Sequence, residues 1–226
     1  MADEDSSIIA DLRKWTACDV ADGLSKLGET HGGFLEGLTM FSPEFQSGST
    51  KIVGKAFTVK MVLKSETDAP KLQGNYIDKV PKGSVVFMSQ PTPHVNACYG
   101  GLMSMRAQYL GAEGTVVDGR VRDLQEHRDL KFPVFSRAIG TTAATAVSRP
   151  SEINVPVKLQ SSVQDATIRP GDFIIADLDG VVCVPRELAR KALDAIPPKA
   201  EADAKTAEAI KKGMSVEEAF KTFRGK

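Results

Sequence analysis

Apolar residues recur first at helical and then at strand spacing along the chain. Ile9, Leu12 and Trp15 follow Ser6 and Ser7, either of which can cap a first helix. Thr16-Ala-Cys-Asp19 has the form of a capping box and opens a second helix through Val20, Leu24 and Leu27, stopped by Gly28. Residues 29–50, rich in Gly, Ser and Thr, are expected to be loop. From Val53 to Leu63 the pattern alternates, with Phe57, Val59, Met61 and Leu63 set against Thr58, Lys60 and Val62. This alternation predicts a strand with one buried face. Residues 68–79 predict a helix broken up by Pro70 and Gly74.

Lys82-Gly83 forms a turn before the short apolar strand Ser84–Met88, and a helix is expected from Gly100 to Leu110. Gly114–Val117 predicts a buried strand ending at Asp118-Gly119, a common turn pair. A short helix over 121–130 and a strand at Pro133–Phe135 come next. Strands are also expected at Val155–Leu159, Phe173–Ala176 and Val181–Val184, separated by turns at Pro170–Asp172 and Asp177–Gly180. From Pro185 the pattern turns helical: Arg186–Ile196, a stop at Pro197-Pro198, a charged alanine-rich helix over 199–212, and a last helix capped by Ser215 to Glu218. Together these elements predict one α/β or α+β domain, with its body in residues 1–185 and a helical C-terminal arm in 186–226.

A chain of 226 residues can bury one sizeable core. Its 29 Lys and Arg balance 29 Asp and Glu, which argues against nucleic acid as a partner. Cys18, Cys98 and Cys183 are odd in number and lack a Cys-x-x-Cys pair, so neither a disulfide framework nor a zinc ribbon is expected. The N-terminus is acidic without an apolar signal core, and no apolar run approaches the ~20 residues of a membrane helix. A soluble, cytoplasmic protein with no membrane partner is the expectation.

The candidate chemistry lies between residues 94 and 136. Gly100-Gly101 at a helix start lets a ligand approach the backbone, where free N–H groups attract an anion such as a carboxylate; it also suits a helix cap needed only for packing. No Gly-x-Gly-x-x-Gly is present, and Gly48 to Lys55 misses the P-loop spacing and hydroxyl. On a helix, Asp123 would share a face with Glu126 and His127. Carboxylates there suit Mg²⁺ or Mn²⁺, and His127 a softer metal, although the same run also fits a solvated helix face. Cys98 near His94 allows a Cys/His nucleophile pair or a structural cysteine, and Ser104 and Ser136 lack a Gly-x-Ser-x-Gly elbow.

The arrangement Gly101-x20-Arg122-Asp123-x2-Glu126 resembles the signature of class II 4-hydroxy-4-methyl-2-oxoglutarate aldolases, in the RraA-like superfamily of the regulator of ribonuclease E activity A. Tyr99-Gly-Gly-Leu-Met103, Gly114–Gly119 and the run from Gly171 to Val181 are similar to its recurring blocks. The regulator branch typically lacks the acidic residue that matches Glu126, so the resemblance is to the enzyme branch.

The resemblance implies a swivelling α/β/β sandwich, assembled as a homotrimer or dimer of trimers with sites between subunits. It implies that Gly100, Gly101, Leu102 and Met103 bind the carboxylate of a small 2-oxo acid, and that Arg122 contacts the 2-oxo oxygen. Asp123 would hold Mg²⁺ or Mn²⁺, with Glu126 acting through a metal-bound water. Some members carry an acidic residue where this chain has Leu102, which leaves the base for the substrate hydroxyl to a metal-bound water or a neighbouring subunit. The activities implied are cleavage of 4-hydroxy-4-methyl-2-oxoglutarate to two pyruvates and decarboxylation of oxaloacetate. A non-catalytic regulator of RNA processing and a Schiff-base aldolase are the competing classes.

Overall fold

In the computed structural model, which describes residues 2–225, a nine-stranded mixed sheet curls almost into a barrel. Its strands are β1 (Thr39–Ser42), β2 (Ile52–Leu63), β3 (Ser84–Ser89), β4 (Ala97–Tyr99), β5 (Gly114–Val121), β6 (Val134–Ile139), β7 (Ser148–Ile153), β10 (Phe173–Asp177) and β11 (Gly180–Val184). Strands β8 (Val157–Lys158) and β9 (Thr167–Ile168) make a separate pair. The sheet order is β1-β6-β5-β3-β2-β10-β11, with β4 beside β5 and β7 beside β2. β2, β3, β5 and β6 run parallel, β4 is parallel to β5, and β1, β7, β10 and β11 pair antiparallel. The two ends of the sheet approach each other where Phe34 bridges Val182 and Leu35 N–H donates to the Val181 carbonyl at 2.9 Å.

Helices cover the outside: α1 (Ala2–Leu12), α2 (Ala17–Lys26), α3 (Gly101–Tyr109), α4 (Leu124–Asp129), α5 (Ala189–Lys211) and α6 (Val216–Phe223). Curling divides the core in three. Ile52, Ala56, Phe87, Val116 and Ile174 fill the inside with Val157 and Ile168 of the small pair. Phe57, Val59, Met88 and Val117 form an outer cluster with Tyr99, Ala107 and Phe132. Val53, Phe173 and Val182 meet α1, α2 and α5 through Leu12, Leu24 and Ile196. Helices, sheet and inner strand pair give the α/β/β layering that was expected.

Several local expectations are corrected. β2 is buried on both faces over most of its length, because Ile52, Ala56 and Thr58 are covered by the curled sheet while Lys60 stays exposed; Thr58 is satisfied there by donating to the Val155 carbonyl at 2.7 Å. The first helix begins at Ala2, so Ser6 and Ser7 sit within it rather than capping it. Glu4 and Asp5 near its start suit the positive end of the helix dipole. The segment 29–50 contains β1, too short for its alternation to stand out. No α-helix forms over 68–79, where only a 3₁₀ turn at Tyr76–Lys79 is present. Arg149 occupies the carbonyls of Glu66, Ala69 and Pro70 instead.

The two prolines do not divide the C-terminal region, since α5 runs through Pro197 and Pro198. They remove two helical N–H donors, but Lys199 binds Asp22 of α2 at 2.8 Å and Asp203 at 2.7 Å and ties the following turn in place. The first part of α5 belongs to the main core, because Leu193 and Ile196 are buried against α1 and α2. Asp118-Gly119 is not a turn either. Asp118 lies within β5, fully buried, and accepts from Arg137 Nε and the Gln160 N–H, each at 2.5 Å. Burial pushes its carboxyl up, and the Gln160 N–H and Arg137 pull it back. Among the described residues no helix is long and apolar enough to cross a membrane.

Candidate active site

Two chain segments leave the same edge of the sheet side by side. β4 ends at Tyr99 and passes through Gly100 into α3, while its neighbour β5 ends at Val121 and passes through Arg122 and Asp123 into α4. The Arg122 N–H donates to the Tyr99 carbonyl at 3.0 Å, which holds the two segments in register. Carboxyl ends of parallel strands are where open α/β sheets bind ligands.

Asp123 is the cap residue of α4 and adopts a left-handed conformation, φ 59° and ψ 42°. This is a sparsely populated region in which Asp is among the more tolerated residues, and such strain concentrates at functional sites. The bend directs its carboxylate back to α3, where Oδ2 accepts from the Gly101 N–H at 3.1 Å and lies 3.3 Å from Arg122 Nε.

Both glycines are required by closeness rather than by φ. A Cβ on Gly100 would stand 2.5 Å from Asp123 Oδ2, and one on Gly101 would stand 1.9 Å from Glu126 Oε2. At the start of α3 the Leu102 N–H has no backbone partner among the described residues, and the Met103 N–H reaches only the Gly100 carbonyl at 3.0 Å. The free Leu102 N–H and the positive end of the helix suit an anion.

Gly100, Leu102, Met103, Arg122, Asp123 and Glu126 all line one cleft of about 870 Å³, with Gly101 directly behind. The structure therefore brings together the residues that the family resemblance marked as the binding and metal site. Glu126 is exposed, and its side chain makes no ion pair or hydrogen bond among the described residues. Arg122 pairs with Asp123, not with Asp118, whose partner is Arg137.

His127 does not join them. Because Asp123 caps the helix instead of continuing it, His127 turns inward and stacks on Tyr99, with ring centroids 5.8 Å apart and planes at 20°. Neither ring nitrogen has a partner in hydrogen-bonding geometry. Burial lowers its pKa, against weaker opposing effects of the Arg122 backbone and the Asp123 carboxylate. Tyr99 is anchored in turn by the hydroxyls of Ser104 and Thr115 at 3.1 and 3.0 Å, and burial pushes its phenol up to about 12. Tyr99 of this stack forms part of the cleft wall.

The alternative nucleophile pair fails. Burial pushes the Cys98 thiol far up, and His94 Nε2 is engaged with the Gln90 carbonyl at 2.9 Å. No lysine lines the cleft among the described residues. Sequence reasoning missed the remaining wall, which includes Met61, Leu72, Asn75, Tyr76, Thr145 and Pro150. These residues come from β2, β7 and two irregular segments and share no motif; the only local signal is Asn75, whose side chain caps the 3₁₀ turn.

Several known proteins are similar to this chain. DlpA of Legionella pneumophila is 28% identical over 218 residues, 96% of this chain, but the match spans only 34% of DlpA. This chain thus corresponds to about a third of that relative's length. A Thermus thermophilus protein named 4-hydroxy-4-methyl-2-oxoglutarate aldolase is 29% identical over 150 residues, covering 66% of this chain and 85% of that one. The crystal structure of an uncharacterized protein from Pseudomonas syringae superposes with a TM-score of 0.80 at 29% identity, over 95% of this chain and 96% of the other. The family model RraA-like, described as Aldolase/RraA, matches residues 17–183, and the chain belongs to that family.

Proposed function

We propose that this chain is a divalent-metal-dependent lyase that releases pyruvate from 4-hydroxy-4-methyl-2-oxoglutarate and from oxaloacetate. The observation that carries this reading is the gathering of Arg122, Asp123 and Glu126 in one cleft against the N-terminus of α3. The name of the Thermus relative supports the first substrate.

The residues present fit a hard cation. Asp123 and Glu126 offer only carboxylate oxygens, the donor type of Mg²⁺ and Mn²⁺. Neither glycine carries a Cβ to fill the space beside those carboxylates. Asp123 would hold the ion directly and Glu126 through water. Bound there, the ion would supply Lewis-acid polarisation of the 2-oxo group.

The chain's own groups account for the rest. The Leu102 N–H and the positive end of α3 receive the substrate's 1-carboxylate. The guanidinium of Arg122 donates to the 2-oxo oxygen and stabilises the charge that builds there as the C3–C4 bond breaks and its electron pair enters a pyruvate enolate. In aldol cleavage the proton of the C4 hydroxyl passes to a water held by Glu126 or to a carboxylate of a neighbouring subunit, the enolate carbon takes a proton from solvent, and the departing fragment is a second pyruvate. With oxaloacetate the departing fragment is carbon dioxide and there is no hydroxyl proton to remove, so Leu102 at its position is no obstacle.

Metal binding tests the assignment independently of turnover. Asp123→Ala should abolish Mn²⁺ binding followed by calorimetry, whereas Glu126→Ala should weaken it by about 10–100-fold, as for residues that act through a bound water. A larger loss in the Glu126 variant would mean that the two roles are exchanged. The reading also includes assembly in threes. Leu102, Met105 and Tyr109 make an apolar stripe on α3 beside the cleft, 68%, 52% and 80% exposed, that a neighbouring subunit would cover. Light scattering that finds an active monomer would remove this part.

A further inference from the structure

One wall of the cleft is built from chain without regular structure. Leu72, Gly74 and Asn75 line it, and they lie in the segment 64–75 between β2 and the 3₁₀ turn at Tyr76–Lys79. Beyond Lys64 the backbone N–H groups of this segment make only local turn bonds among the described residues, the last from Ala69 to the Glu66 carbonyl at 3.3 Å. Such a segment keeps one conformation only if other parts of the fold hold it. Its far end is held by burial: Tyr76 and Ile77 sit in the outer core cluster, Leu72 packs against that cluster, and the Asn75 side chain accepts from the Ile77 N–H at 3.2 Å.

Its near end is held from β7. Lys60 of β2 pairs with Glu152 and the next residue, Met61, pairs with Pro150, so Ser151 is the extra residue of a β-bulge. Bulges re-aim side chains, and one suits a proline, whose missing N–H leaves no ladder bond unmade. Pro150 and its partner Met61 line the cleft, while Arg149 and Ser151 on either side of Pro150 both reach the segment. Arg149 Nη1 donates to the Pro70 carbonyl at 2.7 Å, and its Nη2 donates to those of Glu66 and Ala69 at 3.0 and 2.8 Å. The Ser151 hydroxyl adds a second bond to Pro70 at 2.7 Å. One planar fork thus collects three carbonyls just before the first cleft residue, Leu72, which an ammonium cannot do. All of these contacts lie within one chain and are present whatever covers the outer face of the cleft.

We propose that Arg149 is a positioning residue of the cleft: from the bulge at Ser151 it fixes the segment 64–75 as the wall that receives the ligand beyond C3. This rests on the pyruvate-releasing reading, in which the start of α3 and Arg122 take C1 and C2 and leave this wall for C4 and C5. Arg149 touches no reacting atom. It sets the affinity for the longer 2-oxo acids and takes no part in breaking the bond.

Two ligands of different length test this without turnover. Calorimetry in Mg²⁺ compares pyruvate, which ends at C3, with 2-oxoglutarate, which continues to C5 and has no C4 hydroxyl to cleave. Arg149→Ala should weaken 2-oxoglutarate by about 10-fold and leave pyruvate within about 2-fold. With 4-hydroxy-4-methyl-2-oxoglutarate the variant should raise KM by a similar factor at unchanged kcat, the pattern for contacts made equally in the ground and transition states. Limited trypsin digestion should cut after the exposed Lys71 faster than in the wild type, which reports release of the segment with no ligand present. Arg149→Lys keeps the charge but not the fork and should lose about 3-fold for 2-oxoglutarate alone; it carries the test if the alanine variant does not fold. Lys60→Ala removes an exposed ion pair between the same two strands and should leave both affinities unchanged. Equal losses for the two ligands, no loss for either, a fall in kcat at constant KM, or the same split in Lys60→Ala would overturn the proposal. If the split holds while no substrate releases pyruvate, the reaction reading fails and the role of Arg149 stands. Pyruvate release without the split means the reverse, and a wild-type protein that binds neither ligand overturns both.

Discussion

Replacing Arg122 by lysine should lower kcat for pyruvate release by about 10²–10³, the usual cost of one donor to a developing oxyanion. Charge is conserved in this variant, so the loss isolates geometry. The guanidinium lies 3.3 Å through Nε from Asp123 Oδ2, and the segment that carries it is fixed by the Arg122 N–H bond to Tyr99. One edge of the fork is thus engaged with Asp123, and the other nitrogens are left for substrate in the cleft. An ammonium has no planar fork and cannot meet both demands at once. Initial-rate kinetics check this, with KM rising less than kcat falls if the contact strengthens in the transition state. Near-normal kinetics in Arg122→Lys would make this side chain structural, a prop for Asp123 alone.

Gly101→Ala should be the most damaging single-methyl change in the cleft. In a solvated helix, replacing Gly by Ala stabilises by about 1 kcal/mol. Here the new Cβ would stand 1.9 Å from Glu126 Oε2 and 2.7 Å from Glu126 Cβ, so rotating the carboxylate away does not relieve the contact. α3 and α4 must separate, and the Gly101 N–H bond to Asp123 is stretched as they do. Overpacking of this kind costs about 1–3 kcal/mol, and a displacement near 1 Å among reacting groups costs about 10²-fold in rate. Chemical denaturation and kcat read the two effects separately. Adding Glu126→Ala to Gly101→Ala should recover only part of the stability, because the 2.7 Å contact with the Glu126 Cβ remains, and should not recover activity. An active, unperturbed Gly101→Ala protein would show that the approach of α3 to α4 is not needed.

The predicted features that hold in the structure are those with a local physical cause. The capping box at Thr16, the glycine-headed helix at Gly101 and the apolar strands at 84, 114, 173 and 180 each follow from a few neighbouring residues. The cleft's polar half was legible for the same reason, since Gly100 to Met103 and Arg122 to Glu126 lie in two short runs that adjacent parallel strands bring together. Features that depend on distant contacts were not legible. β2 reads as one-faced until the sheet curls and covers Ile52, Ala56 and Thr58, and Asp118 reads as a turn residue until Arg137 and Gln160 reach it within β5. Pro197-Pro198 reads as a stop, and the ion pair of Lys199 with Asp22, far away in sequence, carries α5 past it. His127 has the right spacing to join Asp123 and Glu126, but the left-handed cap at Asp123 changes its direction, and no periodicity encodes that. Tyr76 and its neighbours belong to an irregular segment positioned by Arg149, so this half of the cleft had no sequence signature.

The central claim is metal-dependent release of pyruvate from a 2-oxo acid at this cleft. Its most direct measurement is pyruvate formation by the purified protein from 4-hydroxy-4-methyl-2-oxoglutarate and oxaloacetate, in excess chelator and after restoring Mg²⁺ or Mn²⁺. The expected result is turnover with either metal, loss on chelation and recovery on re-addition, with Asp123→Ala inactive throughout. Turnover undiminished in chelator, or none from either substrate with metal present, would contradict it; the second result would favour a non-catalytic regulator.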